Sequence, residues 1–111
     1  GEDWEINTGQ AIPLGGIVVN RNLPEKIKNK INRVLKRSIE FAFENPKESC
    51  QFVKKHAQKL DDEVINKHIS LYVNQFSVSL GEKGRMAINM LFGKAFESGI
   101  IKKMPEDIFI K

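Results

Sequence analysis

The stretch Ala11-Ile12-Pro13-Leu14-Gly15-Gly16-Ile17-Val18-Val19-Asn20 decides how the rest of the chain is read. Ile17, Val18 and Val19 are consecutive and β-branched, the composition of a strand covered on both faces. Pro13 cannot donate to a ladder, so it belongs before the strand, which the residues place over 14–20. Gly15 and Gly16 permit close approach of another group and can present bare backbone amides to a ligand. From local sequence alone, a turn or close chain packing explains the pair more readily. No Gly-Lys-Ser/Thr follows, so this is not a phosphate loop.

On either side of this stretch the pattern is helical. Gly1 to Thr8 reads as a helix end, with Trp4 and Ile6 apolar and Gly9 as the stop. After the strand, Pro24 suits a first turn, and Asn22 with Glu25 forms a capping pattern. Ile27, Ile31, Val34, Leu35 and Ile39 then recur at helical spacing, and Asn45-Pro46 ends that helix and caps a short one through Glu48. Asp61 or Asp62 caps a third helix. Asn74 to Val78 reads as a connection. Ser79 with Glu82 is a capping box for a fourth helix, which Gly99 stops. The segment is therefore mostly α, one strand over 14–20 followed by about four helices. Its parts are a helix end (1–10), a strand segment (11–20), a helical body (21–99) and a tail (100–111).

A single strand leaves its backbone groups without partners, and only Ile108–Ile110 offers a short second run. Together with an opening Gly1 in place of Met, this is expected of a piece of a larger protein.

At 111 residues and 41% hydrophobic content, the chain can bury one small core and is too apolar for wholesale disorder. No apolar run reaches the length of a membrane helix, and no basic-then-apolar leader opens the sequence. Cys50 is the one cysteine, which excludes an internal disulfide framework and suits a reducing cytoplasm.

The net charge of +4 is unevenly spread. Residues 1–20 hold three acids and no base, residues 21–59 eleven bases and four acids, and residues 60–111 seven of each. Lys26, Lys28, Lys30, Arg33, Lys36 and Arg37 make the first long helix basic. No aromatics interleave with them, so they read as a solvated face rather than a nucleic-acid surface.

His56 and His68 lie twelve residues apart, unlike a metal-binding pair on one helix face, and both suit hydrogen-bonding or capping roles. Cys50 has no neighbouring base to activate it. No nucleophile–base pair or metal cluster can be assembled, so the residues alone define neither catalytic nor metal-binding positions.

The order of motifs resembles a known family. Ile12-Pro13-Leu14-Gly15-Gly16-Ile17 is followed by Leu23-Pro24, then Phe52-Val53-Lys54-Lys55-His56-Ala57-Gln58. His68-Ile69-Ser70-Leu71-Tyr72-Val73-Asn74-Gln75-Phe76-Ser77 and Leu80-Gly81-Glu82-Lys83-Gly84-Arg85 complete the series. From about Trp4 to about Gly99 the chain is similar to the C-terminal part of the 1,4-dihydroxy-6-naphthoate synthases of the futalosine route to menaquinone.

The resemblance implies an α/β intact protein, a two-lobed fold like type II periplasmic-binding proteins, with the strand as the second crossing between lobes. It implies a lyase that cleaves cyclic dehypoxanthine futalosine to 1,4-dihydroxy-6-naphthoate, with no cofactor. Leu14, Gly15 and Gly16 are then expected at the inter-lobe cleft, backbone towards substrate. The family's proposed catalytic histidine lies in a His-Glu-Gly-Arg-like stretch that this sequence lacks, and neither His56 nor His68 inherits the role. Inactivity of the segment alone is the consequence.

Related readings are a chorismate dehydratase of the same pathway and a solute-binding protein of the same fold that captures a small anion. The expected partners are a small-molecule substrate and the missing N-terminal part of the same protein, not nucleic acid or membrane. Unpaired strand edges would make the isolated chain a homo-oligomer.

Overall fold

The computed structural model describes residues 2–57 and 61–110. Six helices occur among them: α1 (Glu2–Thr8), α2 (Glu25–Glu44), α3 (Cys50–His56), α4 (Asp62–Tyr72), α5 (Gln75–Val78) and α6 (Gly81–Glu97). No strand occurs among the described residues, which corrects the strand expected over 14–20. β-branched side chains favour a pleated, covered backbone, but a strand exists only through its ladder, and no described segment supplies one. Val18 is accordingly 91% exposed. The Ile108–Ile110 run forms no strand either. It is half-buried, and the Arg85 guanidinium sits 5.0 Å from the Phe109 ring centroid.

The described residues form two compact units, one joining residues up to Val19 to those from Leu80 onward, the other spanning Asn20–Ser79. In the first unit, α1 and α6 end as their glycines dictate. Gly9 has φ +70°, and its N–H donates to the Glu5 carbonyl at 2.8 Å. Gly99 has φ +75°, its N–H donates to Phe96 O at 3.1 Å, and the Ile100 N–H donates to Ala95 O at 2.9 Å. This paired closure consumes carbonyls that a helix end otherwise leaves to water. Gly84 and Ala87 are the buried residues of α6, and Trp4 is half-buried with an indole N–H that has no partner among the described residues.

In the second unit, α2 runs twenty residues and stops where Asn45 folds back. The Asn45 N–H and Nδ2 both donate to Phe41 O, at 2.8 and 3.1 Å, and Pro46 cannot continue the helix. The turn over 46–49 replaces the helix start expected at Asn45-Pro46, and α3 begins only at Cys50. Asp61 caps α4, with the Val64 N–H donating to Oδ1 at 3.0 Å.

Residues 74–78, read as a connection, instead hold α5. The Phe76 N–H donates to Asn74 Oδ1, and the Asn74 N–H donates to Ser77 Oγ, so the reciprocal cap sits five residues before the one expected at Ser79. Ser79 closes α5, and neither it nor Asn22 caps a helix through its side chain. Asn22 donates its N–H to Asn20 Oδ1 instead. Here α5 packs on α2, and Ile65, 7% exposed, is the most buried apolar side chain described. No described helix is long and apolar enough to cross a membrane.

Candidate functional site

Leu14, Gly15 and Gly16 lie in the irregular segment between α1 and α2. Leu14 is 55% exposed. A Cβ placed on Gly15 or Gly16 would meet no atom within 4 Å, and neither residue has a positive φ. The described chain therefore does not itself demand glycine at either place; any such demand comes from a group that approaches from outside it. Among the described residues, none of the three backbone amides donates a hydrogen bond. The Gly15 and Gly16 amides are thus unpaired and unobstructed among the described residues.

The histidines stand apart and are locally engaged. His56 Nδ1 lies 2.9 Å from the Phe52 carbonyl, which assigns the proton to that nitrogen, and the two rings are 4.3 Å apart. The His68 ring lies tilted against that of Tyr72, with centroids 4.7 Å apart. Each contact is one helical turn long and belongs to its own helix. Gln58, adjoining the His56-Ala57 motif, lies outside the described residues, as do Lys59 and Leu60. Among the described residues no group of three His, Cys, Asp or Glu side chains could hold a metal ion.

Cys50 is an exposed free thiol at the edge of a cavity of about 110 Å³ between α3 and α4. Val53, Ile65 and Ile69 form its apolar side, and Lys54 with Asp62, paired at 3.3 Å, its rim. No histidine lines this cavity, so the thiol has no base beside it there. A larger open groove of about 510 Å³ runs along α6, lined by Met86, Asn89, Met90, Gly93 and Lys94 together with Gln10. Its spacing of three and four residues is legible in the sequence only once the buried side of α6 is known.

The described residues provide six helices and, at 14–16, a backbone segment that no described atom covers at its two glycines. The chain belongs to the menaquinone biosynthesis family, whose signature matches residues 1–97. It is similar to the 1,4-dihydroxy-6-naphthoate synthase of Thermus thermophilus, at 37% identity over 107 residues, which is 96% of this chain and 39% of that protein. The enzyme of the same name from Streptomyces coelicolor is also 37% identical over 107 residues, 96% of this chain and 38% of its own length. The chain thus spans about two-fifths of the length of the curated relatives it matches.

Proposed function

We propose that these residues are part of a 1,4-dihydroxy-6-naphthoate synthase, a lyase that converts cyclic dehypoxanthine futalosine to 1,4-dihydroxy-6-naphthoate on the route to menaquinone. The observation that carries this reading is the 37% identity maintained across 96% of the chain with two relatives of that name. Leu14, Gly15 and Gly16 bind substrate through their backbone, consistent with the absence of any Cβ obstruction at the glycines. The proton-transfer group comes from the rest of the polypeptide, because the His-Glu-Gly-Arg-like stretch that the resemblance assigns to it does not occur in this sequence. The compartment is the cytoplasm, in keeping with a single free thiol.

The test is a chimera in which this chain replaces the matched residues of the Thermus relative. The expected result is turnover of cyclic dehypoxanthine futalosine by the chimera and none by the isolated chain. A folded chimera without turnover, or turnover by the isolated chain, overturns the proposal.

A further inference from the structure

The longest helix carries an apolar row that its own unit leaves uncovered. Ile27, Ile31, Val34 and Phe41, with the polar Ser38 between the last two, follow one another in alternating steps of four and three residues, the spacing that keeps a seam facing one partner along a helix. All five are exposed, Val34 by 58% and Phe41 by 56%. On one side the row adjoins Leu35, Ile39 and Ala42, which are half-buried within the unit. On the other side it adjoins the exposed cations Lys26, Lys30, Arg33 and Arg37, with Glu40 and Glu44 only at the far end. None of these four cations forms an ion pair with a described residue; Lys28, on the inner side, pairs with Glu25 at 2.6 Å.

We infer that this row of α2 is an interface for a segment of the longer polypeptide, one that presents apolar side chains bordered by acidic ones. The inference rests on the proposed function, since it takes the occupant from the part of the relatives that this chain does not span. Two observations select that occupant. The relatives extend over more than twice the matched length. The uncovered flank carries four cations against two anions, within a stretch of eleven bases and four acids over 21–59, so it complements an acidic border. A second copy of α2 would bring two net-positive flanks together, and the inner side of the row is already occupied.

Two synthetic helical peptides test the chemistry. Both carry a leucine seam; one is bordered by glutamates, the other by lysines. The isolated chain is expected to bind the glutamate peptide about tenfold more tightly at low salt, and Val34→Asp is expected to abolish binding. The double variant Lys30→Glu, Arg37→Glu is expected to reverse the preference. Equal binding of both peptides, binding of neither, or a concentration-dependent dimer that Val34→Asp dissolves overturns the inference.

The source of the occupant is tested by thiol labelling at Val34→Cys in a background with other cysteines replaced. Labelling is expected to be about tenfold slower in the Thermus chimera than in the isolated chain, and equal rates overturn the inference. Turnover is scored separately. Protection of position 34 without turnover would break the functional reading and keep the interface, while turnover with free labelling would do the reverse.

Discussion

The end of α6 and the stretch Ile17–Val19 belong to the same unit and carry similar apolar side chains, yet only one is finished by its own residues. Around Gly99 the last carbonyls of α6 find the N–H groups of Gly99 and Ile100, three to five residues further along the chain. Around Gly15 and Gly16 the backbone makes no such closure, and Val18 faces solvent. The difference is one of range. A helix end is satisfied by neighbours in sequence, whereas a strand is satisfied only by a segment brought from elsewhere.

The largest expected effect is at Ile65, which belongs to the self-sufficient class because its burial is provided within Asn20–Ser79. Ile65→Ala should destabilise the isolated chain by about 2 kcal/mol or more, measured by urea denaturation. Val18→Ala in the same chain should stay within about 0.5 kcal/mol, since the side chain is already in water. In the Thermus chimera the gap should narrow if Val18 gains a cover there. A Val18→Ala cost in the isolated chain equal to that of Ile65→Ala would erase the distinction.

Next in size are the two kinds of glycine. Gly99→Ala forces a side chain into the left-handed region at φ +75° and should cost about 1 kcal/mol. Gly15→Ala faces neither strain nor an obstructing atom and should leave the isolated chain unchanged or slightly stabilised. Parallel thermal melts of the two variants check this, and equal losses would show that Gly15 is held by the chain itself.

The same division by range explains what could be read from the residues. Gly9, Gly99 and Asp61 act on groups within five positions, and each ends or starts its helix as its residue type suggests. Asn74 and Ser77 act locally too, but the competing pattern Ser79–Glu82 hid them, and the short α5 took the cap. The strand failed because β-branching reports the kind of surface that would suit a segment, not whether that surface is present. The exposed row of α2 was hidden for a related reason. Its helical period was plain in the sequence, but period alone cannot distinguish a face that is covered from one that is left open.

Asp61 gives an effect of similar size. Asp61→Ala removes the acceptor for the Val64 N–H and should cost about 1 kcal/mol, whereas Ser79→Ala should cost nearly nothing, because Ser79 contributes its backbone rather than its hydroxyl to the end of α5. Helix content followed by circular dichroism against temperature separates them, and equal losses would return Ser79 to a capping role.

The smallest effect on stability is expected where the effect on activity is greatest. Gly16→Val adds a branched side chain at a position with no described atom within 4 Å and with no positive φ. The isolated chain should therefore melt at the same temperature as before. In the chimera, a ligand drawn against the backbone of Leu14–Gly16 would meet the new methyl groups, and turnover should fall while the melting temperature holds. The split between the two readouts carries the argument, because a turn requirement would lower both together. Gly16→Ala, with less bulk, should fall between wild type and valine in turnover and match wild type in melting. A Gly16→Val chimera with full turnover would remove this segment from the substrate site while leaving its place in the family intact.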